Sequence, residues 1–412
     1  MLGGGRTGHA GDPIAPDTVL PMSDLDELEG KRIAFLSWRD THNPEGGGAE
    51  RYLEMMATGL VERGCEVTVF CAAHAAAPPE ETVDGVRFVR RGSKLSVYPA
   101  GMRALRRGDL GEVDLVVDVQ NGLPFFSRLI TSRPVVVLVH HVHREQWPVV
   151  YPGLVGRVGW WIEHRVAPLL YRQCQYVAVS RATRAELEAL GVRGHRVAVV
   201  HNGTDPVVPV RPGKEPTPMI AVVGRLVPHK QVEHAIDASL VLRERFPDLR
   251  LHVVGSGWWE GRLHAYAVEH GAGETVVFEG HVDENAKQSI YERAWLLALP
   301  SLKEGWGLVI GEAGMHATPT VAYRSAGGTR ESIAHGRSGV LVDTPEEFTW
   351  ALGDLLADER RRSDLGEGAR ESSHTFTWQH AQHSFALVVR AVLAGRRVES
   401  QDPDVPQDVA DG

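Results

Sequence analysis

The sequence predicts an α/β fold with two doubly wound domains that face each other across a cleft. Short runs rich in valine alternate with helical patterns along most of the chain, which is the order of a βαβ series. The runs are continuously apolar, as expected for parallel strands buried on both faces. Residues 203–216 contain four prolines and two glycines, which is typical of a linker, and the alternation restarts after them. Two such series predict a ligand site in the cleft, at the carboxyl ends of the strands.

In the first series, residues 32–38 predict a strand, and a glycine loop separates that strand from a helix. Apolar residues at helical spacing indicate this helix: Ala49, Tyr52, Leu53, Met56 and Leu60. Further strands are predicted at EVTVFCA, DLVVDVQ, PVVVLVH, YVAVS and VAVVHNG. After the linker they are predicted at MIAVVGRL, LRLHVVGSG, VVFEG, WLLALPS, PTVAY and GVLVD. We expect domains over residues 31–208 and 209–376, and disordered tails over 1–30 and 398–412, where few apolar residues are available for burial.

Composition limits the class of protein. The chain has 412 residues, of which 43% are hydrophobic and 24% charged, and this excludes a disordered, collagenous or coiled-coil protein. Three cysteines exclude a disulfide scaffold and indicate a reducing compartment. We find neither a signal-peptide core nor an apolar run of spanning length, so we expect a cytoplasmic protein. The net charge is −9, but residues 31–204 carry +5 and residues 205–412 carry −9. This asymmetry indicates either two domains with different partners or an unevenly charged solvated surface.

Two segments have the composition of phosphate-binding loops. GGGAER (46–51) lies between the first strand and the first helix, where glycines permit close backbone approach and a helix N-terminus offers free N–H groups. It lacks the G-x-G-x-x-G spacing of a dinucleotide site, and a plain turn is the alternative interpretation. GRLVPHK (224–230) places Arg225 after a strand and Lys230 at a helix start. The pair suits a diphosphate, unless both side chains are simply exposed.

The segment LPSLKEGWGLVIGEAG is the most informative. Its glycines predict that Glu304 lies in a loop and that a helix beginning near Leu308 carries Glu312 in its first turns. Two such carboxylates accept hydrogen bonds from separate parts of one polyhydroxylated ligand; two surface glutamates are the alternative. A phosphate between them would meet the N–H groups at the start of that helix, namely those of Gly307, Leu308 and Val309.

Taken in order, these motifs resemble glycosyltransferase family 4, the retaining nucleotide-sugar transferases of GT-B fold. Glu304 and Glu312 match its E-x(7)-E motif, GRLVPHK its diphosphate site and GGGAER its glycine loop. Further segments similar to the family are VVHNGTD, GGTRESI and GRSGVLVD. FTWQHAQHSFALVVRAVL resembles the family's final helix, expected here over 377–397, which returns to the first domain. The resemblance covers about residues 32 to 395 and implies two Rossmann-like domains, the first for the acceptor and the second for the donor.

The resemblance also implies roles for individual residues. Glu304 would hold the hydroxyls of the donor sugar, Glu312 would hold the ribose, and Arg225 and Lys230 would neutralise the diphosphate. The other donor-binding positions it implies are Gly47, Gly48, Gly224, Gly305, Trp306, Gly307, Leu308 and Val309. Neither a metal nor a cofactor is expected, because cations and helix N-termini take the role of Mg²⁺. Three positions depart from the family pattern and leave the donor open: Trp306, Gly311 and Ala317.

Three histidines follow one predicted strand: His140, His141 and His143. A metal site is disfavoured, because alternation along a continued strand sends His141 to the opposite face and Glu145 is the only carboxylate close in sequence. The resemblance places a catalytic histidine of the cleft at His140, near the anomeric centre. There it would position groups or act as a base.

The acceptor is expected on the first domain, with Glu50, His143 and Arg144 as candidate contacts. Glu50 lies in the first helical turn and would equally well offset the helix macrodipole. The basic segment 87–109 and the aromatic, arginine-containing segment 151–173 suit an anionic membrane surface and a lipid-linked acceptor. A solvated face and a core helix are the alternative. No nucleic-acid-binding module is recognisable, so no nucleic acid partner is expected.

We therefore predict a retaining, metal-independent glycosyltransferase. It would move a sugar from a nucleoside diphosphate sugar to a hydroxyl acceptor, such as a lipid-linked or cell-envelope glycan, in the cytoplasm or on the inner face of the membrane. One rival hypothesis is a nucleotide-sugar epimerase or a phosphorylase of the same fold. Another is a catalytically silent subunit that binds nucleotide sugars. The sequence specifies neither the sugar, the base, the acceptor nor the oligomeric state.

Overall fold

The computed structural model describes residues 27–207 and 213–398, which form two α/β domains. The first sheet consists of β1 (Arg32–Leu36), β2 (Glu66–Cys71), β3 (Glu80–Val83), β4 (Val86–Arg90), β5 (Leu115–Gln120), β6 (Val135–Val139), β7 (Gln175–Ala178) and β8 (Val197–Val199). Its strand order is β3-β4-β2-β1-β5-β6-β7-β8. The strands are parallel except for the antiparallel pair β3–β4. This hairpin was not predicted, although its Asp84-Gly85 turn, with φ values of 49° and 78°, is a common hairpin signal.

The second sheet is entirely parallel, and all six of its strands were predicted. They are β9 (Met219–Val223), β10 (Arg250–Val254), β11 (Val276–Gly280), β12 (Leu296–Leu299), β13 (Thr320–Tyr323) and β14 (Gly339–Val342). Their order is β11-β10-β9-β12-β13-β14. The order reverses direction beside β9 in this sheet and beside β1 in the first, so each domain is doubly wound, which confirms the predicted fold class.

Helices cover both faces of each sheet. Those of the first domain are α1 (Gly48–Val61), α2 (Val97–Arg107), α3 (Trp147–Val150), α4 (Leu154–Trp161), α5 (Ala167–Leu170) and α6 (Arg181–Ala189). A π-helical turn, Ile162–Val166, joins α4 to α5. The remaining helices are α7 (Val232–Leu242), α8 (Glu260–Glu269), α9 (Glu284–Arg293), α10 (Leu308–Met315), α11 (Thr329–Ser332), α12 (Pro345–Ala357), α13 (Glu359–Thr375) and α14 (Trp378–Leu393). In the described ranges, no helix combines the length and the apolar character needed to cross a bilayer.

The last helix, α14, packs on the first domain rather than on the second. Phe385 is fully buried and its ring lies 6.0 Å from that of Phe35 on β1. The Gln382 amide donates to the Met55 carbonyl of α1 at 2.9 Å, and a Cβ built on Gly59 of α1 would lie 2.5 Å from Gln382 Cγ. The chain therefore crosses twice between the domains, and its final helix completes the core of the first.

The predicted tails need correction at both ends: Val398, assigned to the C-terminal tail, donates its backbone N–H to Gln175 Oε1 at 3.0 Å and packs on the first domain. Residues 27–30 were assigned to a disordered tail, but Leu28 is fully buried in the core of the first domain. Burial of this one apolar side chain anchors the segment ahead of β1. The rest of the predicted N-terminal tail, residues 208–212 of the linker and the C-terminal tail after Val398 lie outside the described residues.

Candidate active site

A small pocket opens at the carboxyl ends of β9 and β12. Gly224 follows β9 with a φ of +151°, which favours glycine, and directs the chain into Arg225. Lys230 donates to Glu304 Oε1 at 2.5 Å. The hydroxyl of Ser301 is buried and has no hydrogen-bond partner among the described residues. Cations, a carboxylate and an unsatisfied polar group therefore converge at this end of the sheet.

Arg225 has no carboxylate partner among the described residues. Its Nη1 donates a long hydrogen bond of 3.4 Å to the backbone oxygen of Glu45. Burial lowers the pKa of its guanidinium, repulsion from Arg39 adds to that effect, and attraction to Glu50 opposes it. A partly desolvated cation that forms no ion pair with a carboxylate favours the binding of an anion.

Glu304 lies in the loop before α10, as its flanking glycines predicted. Its backbone N–H donates to the Ala326 carbonyl at 2.8 Å, and its own carbonyl accepts from the N–H of Gly328 at 3.1 Å. These bonds fix the loop against the following segment of the second domain. Helix α10 begins at Leu308, as predicted, after an N-cap glycine, Gly307, with a φ of +90°.

Glu312 lies on α10 and contacts α9. Tyr291 donates its hydroxyl to Glu312 Oε2 at 2.7 Å, and Lys287 donates to Oε1 at 3.1 Å. Burial, together with the nearby Glu312 charge, raises the pKa of Tyr291 well above its ordinary value. Neither partner was predicted from the sequence. The predicted contact of Glu312 with ribose stays a prediction.

The two domains touch where glycines remove side chains. A Cβ built on Gly48 would lie 2.9 Å from Leu308 Cδ1, and one built on Gly47 would lie 3.4 Å from Arg225 Nε. A Cβ on Gly305 would lie 2.3 Å from the His140 carbonyl oxygen, closer than van der Waals contact permits. The structure therefore brings the glycine loop of the first domain against the Arg225 and Leu308 elements of the second.

Glu50 is buried, with an exposed fraction of 3%, and both of its oxygens have protein partners. Oε2 accepts the backbone N–H of Gly47 at 2.8 Å, and Oε1 accepts from Arg39 Nε at 3.2 Å. It thus fixes the glycine loop from the first turn of α1, where the alternative interpretation has it offset the helix macrodipole. Its predicted contact with an acceptor stays a prediction. Arg144 is exposed on the loop after β6.

His140 lies in the cleft just after β6. Its ring packs edge-on against Tyr52 at 5.4 Å, and its Nε2 is buried without a partner among the described residues. Burial lowers the pKa of this imidazole to about 4, against a smaller raising effect of Glu50. The neutral ring therefore presents one unsatisfied nitrogen inside the cleft.

The other two histidines differ from the prediction. Strand β6 ends at Val139, so strand alternation does not apply, and the ring of His141 lies 4.2 Å from that of His143 on the same side. The carboxylate beside His143 is Glu163 rather than Glu145: it accepts from His143 Nδ1 at 3.2 Å. The described residues contain no group of three or more His, Cys, Asp or Glu side chains arranged to hold a metal ion.

Glu163, which contacts the candidate residue His143, was not predicted from the sequence. It is fully buried in the π-helical turn, where it accepts from the backbone N–H of His143 at 3.0 Å and from Trp147 Nε1 at 2.6 Å. His143 Nε2 lies 2.7 Å from Asn121 Oδ1 at the end of β5. A network across three elements thus holds His143. A glutamate in an otherwise apolar and arginine-containing segment was the only signal for it.

Part of the basic segment 87–109 forms ion pairs within the protein. Arg90 is buried, and its Nε donates to the fully buried Asp40 at 2.5 Å. Arg91 pairs with Glu80 and Asp109, each at 3.0 Å. The cations that stay exposed on α2 are Arg103, Arg106 and Arg107.

The chain has two doubly wound domains. A glycine loop of the first faces a cationic pocket and a paired-glutamate segment of the second. This arrangement is typical of two-domain glycosyltransferases. Comparison with protein families agrees with this. Residues 46–208 match Glycosyltransferase Family 4, and residues 209–372 match Glycosyl transferases group 1. The chain belongs to this glycosyltransferase family, and its two matches meet within the linker.

Individual relatives extend the comparison. D-inositol 3-phosphate glycosyltransferase of Corynebacterium urealyticum is 28% identical over 395 residues, which cover 84% of this chain and 91% of the relative. The GDP-mannose-dependent alpha-(1-6)-phosphatidylinositol monomannoside mannosyltransferase of Mycolicibacterium smegmatis is 34% identical over 193 residues, or 45% of this chain and 50% of that one. Among solved structures, sucrose-phosphate synthase from Thermosynechococcus elongatus has a TM-score of 0.76 at 20% identity, covering 89% of this chain and 100% of that one. The predicted GT-B fold is thereby confirmed.

Proposed function

We propose that this glycosyltransferase takes its sugar from a nucleoside diphosphate sugar, retains the anomeric configuration and needs neither a metal ion nor a cofactor. One observation carries the proposal: Arg225, a desolvated cation without an anionic partner among the described residues, lies beside the Lys230–Glu304 pair. A diphosphate supplies the missing anion, and a sugar attached to it supplies hydroxyls for the carboxylate.

The reaction we propose takes place on one face of the sugar. The bond between the anomeric carbon and the diphosphate oxygen breaks as the acceptor oxygen bonds to that carbon on the same face, and the acceptor proton passes to the leaving diphosphate. Arg225, Lys230 and the N–H groups at the start of α10 neutralise the charge that develops on the diphosphate. Glu304 orients the sugar hydroxyls, and Glu312 holds the ribose.

His140 serves as a positioning group in this scheme. With a pKa lowered to about 4 by burial, its imidazole is neutral near pH 7 and is a weak proton acceptor. Its buried, unpartnered Nε2 is instead suited to orient a hydroxyl in the cleft. This property favours proton transfer to the diphosphate over a protein base.

For the acceptor we propose a phosphorylated polyol, free or carried by a lipid. The names of two relatives describe action on inositol 3-phosphate and on a phosphatidylinositol monomannoside. A net charge of +5 over residues 31–204 suits such an anionic acceptor. Candidate contacts remain Glu50, His143 and Arg144.

We further propose that the enzyme works on the inner, cytoplasmic face of a membrane, where nucleotide sugars are made. Between Trp147 and Arg172 the exposed side chains are apolar or basic, and the only carboxylate, Glu163, is buried. We call the apolar set the apolar helix face: Val149, Val150, Leu154, Val155, Val158, Trp161 and Leu169, each at least 40% exposed. Arg157, Arg165 and Arg172 are exposed beside it. Apolar side chains with flanking cations are the composition of a segment that inserts into an anionic interface.

The donor proposal is tested with purified protein in EDTA and a panel of UDP-, GDP- and ADP-sugars. We expect a thermal shift with one nucleotide, since a ligand at about 100 times its Kd adds about 2.7 kcal/mol of stability. NMR of the product should show the donor's anomeric configuration in a new glycoside. An epimerised nucleotide sugar would favour the epimerase hypothesis, and nucleotide binding without turnover would favour the silent subunit.

Glu304→Gln should lower kcat by about 10²–10³, the range for removing one preorganised electrostatic group from an active site. Glu371→Gln, at an exposed glutamate of α13, is the matched control and should leave kcat unchanged. Full activity of the Glu304→Gln variant would contradict the role given to that carboxylate.

The membrane proposal is tested by co-sedimentation with vesicles of phosphatidylglycerol and phosphatidylcholine, against phosphatidylcholine alone. We expect binding to the anionic vesicles, weakened by salt and by Val155→Ser combined with Trp161→Ser. Trp350→Ser is the control, because Trp350 is 69% exposed on α12 of the other domain. Equal binding to both vesicle types would count against the proposal.

A further inference from the structure

A glutamate of the second domain caps a helix of the first. Glu331 Oε2 accepts the backbone N–H of Arg181 at 2.9 Å, and its Oε1 accepts the N–H of Ala182 at 2.9 Å. These are the first two N–H groups of α6, which have no partner within their own helix. Ser180 caps the next turn position in the usual way, accepting from the N–H of Thr183 at 3.1 Å. Two segments of the chain 150 residues apart thus share one helix terminus.

The same carboxylate also reaches the linker side of the cleft. His201, in the segment VVHNGTD, places Nε2 at 3.1 Å from Glu331 Oε2. The His201 ring lies 4.7 Å from that of Trp306, whose carbonyl accepts from the hydroxyl of Ser332 at 2.9 Å. Glu331 is therefore the meeting point of α6, the linker and the residues that follow Glu304.

The Glu304 loop is enclosed between the Glu331 segment and the first domain. On one side, a Cβ on Gly328 would lie 2.1 Å from the Gly305 carbonyl oxygen. On the other, Gly305 lies against the His140 carbonyl, and Lys303 forms an ion pair with Glu186 of α6. A movement of the Glu331 segment away from α6 would carry this loop away from His140.

Burial and charge both fit a fixed contact. The Glu331 side chain is 12% exposed. Burial raises the pKa of its carboxyl, but the hydrogen bonds from His201 and from the two backbone N–H groups outweigh burial and leave that pKa below its ordinary value. A carboxylate at a helix N-terminus is further stabilised by the partial positive charge there.

We propose that Glu331 is a positioning residue whose carboxylate joins α6 and His201 to the donor-side segment and so sets the closed cleft in which the Glu304 loop lies against His140. The proposal rests on the proposed function, because closure affects turnover only if a donor binds in that cleft. It gives a role to two sequence motifs, VVHNGTD and GGTRESI, that the reaction itself does not use.

Two substitutions test the contact from its two sides. Glu331→Gln keeps the size of the side chain but replaces one acceptor oxygen with a donor. Arg181→Pro removes one of the two N–H donors; proline suits the first position of a helix, and Ser180 before it is already extended, with φ −156° and ψ 161°. Arg181→Ala is the matched control, since it removes the same side chain and keeps the N–H.

Double electron–electron resonance measures closure as the distance between two spin labels, one in each domain. The labels are attached at Arg106→Cys and Arg360→Cys, exposed positions on α2 and α13. The three native cysteines are buried, so labelling is directed to the introduced thiols. With and without UDP or GDP, we expect Glu331→Gln to give longer distances than the parent, and Arg181→Pro to give longer distances than Arg181→Ala.

Turnover separates positioning from a purely structural role. We expect Glu331→Gln to lower kcat by about ten- to a hundredfold, as for a lost hydrogen bond to a charged group. Its Kd for free UDP or GDP should stay within a factor of about two, as expected for a site distant from the phosphate contacts. Glu331→Asp should recover part of the loss, because it restores the charge.

The outcomes distinguish the two proposals. If the parent protein binds no nucleotide, the proposed function fails, and the label distances of the free protein still test Glu331. If nucleotide binds but the distances of Glu331→Gln and Arg181→Pro match those of Arg181→Ala, the positioning role is overturned. Equal losses of kcat in the proline and alanine variants would overturn it as well.

Discussion

At the scale of single residues, the donor side contains carboxylates that are already paired and one cation that is not. Lys230 meets Glu304, and Lys287 meets Glu312, whereas Arg225 has no carboxylate partner among the described residues. Arg225 is half-buried, and a partly desolvated cation that lacks an ion-pair partner favours binding of an anionic ligand. We therefore expect Arg225 to contribute to binding of an anion rather than to the stability of the unliganded fold.

We predict that Arg225→Gln weakens binding of the free nucleoside diphosphate by about ten- to a hundredfold, the equivalent of a charged hydrogen bond. The unliganded variant should be at least as stable as the parent, because no ion pair is lost. Calorimetric titration and urea denaturation check the two halves of the prediction. Arg262→Gln, at an exposed arginine of α8, should change neither quantity, and unaltered nucleotide affinity in Arg225→Gln would refute the assignment.

A second prediction concerns pH. The folded-state pKa of His140, about 4 because of burial, lies below the ordinary value of 6.5, so the unfolded chain binds more protons between these two pH values. The free energy of unfolding should therefore fall as pH is lowered from about 6.5 to about 4. Burial also lowers the pKa of His141, and it lowers that of His229 to about 3.

His140→Gln removes one of these three contributions. Its unfolding free energy should depend less steeply on pH in that window, by up to about 1.4 kcal/mol per pH unit. Urea denaturation at a series of pH values measures the slope. A slope identical to that of the parent would contradict a neutral, buried His140.

Sequence reasoning identified the residues that carry a local signal and missed those whose partners lie far along the chain. Glu304, Arg225 and Lys230 are flanked by glycines or follow strands, so the sequence predicted their placement at strand ends. Glu163 has no such context, and Glu331 lies in the family-like segment GGTRESI, to which the sequence alone assigned no role. Their roles arise from contacts 20 and 150 residues away, which only the tertiary fold specifies.

At the scale of elements, the π-helical turn between α4 and α5 determines where Glu163 lies. It directs Glu163 inward, where the carboxylate holds both the loop after β6 and the indole of Trp147. Extra residues in a helical turn commonly mark a functional position. Here that turn separates a buried polar network from the exposed apolar helix face on the same segment.

We predict that Glu163→Gln lowers the free energy of unfolding by about 1–3 kcal/mol, because a buried N–H donor of Trp147 or His143 loses its acceptor. Urea denaturation followed by tryptophan fluorescence measures the change. Glu145→Gln, an exposed neighbour on the same loop, should have little effect. Equal stability of the two variants would show that the network contributes nothing.

The start of α1 offers a test of the glycine loop as an element. A Cβ on Gly48 would lie 2.9 Å from Leu308, so Gly48→Ala should force the two domains slightly apart and lower kcat. Gly261 on α8 has nothing within 4 Å of such a Cβ, and Gly261→Ala should raise stability by about 0.5–1 kcal/mol. Steady-state turnover and thermal unfolding of both variants provide the comparison, and full activity of Gly48→Ala would contradict close packing of the loops.

At the scale of the whole molecule, the first domain depends on the last helix. Phe385→Ala should cost about 3–5 kcal/mol, as for other large buried aromatics. The loss should appear in the unfolding of the first domain, because Phe385 packs on Phe35 of β1. Hydrogen exchange of the β1 and β9 amides distinguishes the domains, and destabilisation confined to β9 would contradict the assignment of α14.

Much of this architecture was predictable because parallel strands buried on both faces are continuous valine-rich runs. The second sheet was predicted in full for this reason. The β3–β4 hairpin was missed because Glu80–Val83 is mostly exposed and polar, with an alternating burial pattern, and does not resemble the other strands. The role of Leu28 was missed because one apolar residue in a polar, glycine-containing segment gives no periodic signal.

The double crossing of the chain has a consequence for translation. Residues 213–376, which form the second sheet and its helices, emerge from the ribosome before α14 does. The first domain is begun earlier, but until Phe385 and its neighbours arrive the nascent chain leaves the surface around Phe35 uncovered. Domains generally fold in the order in which they are made. We therefore expect the half of this enzyme that is translated first to complete its folding last.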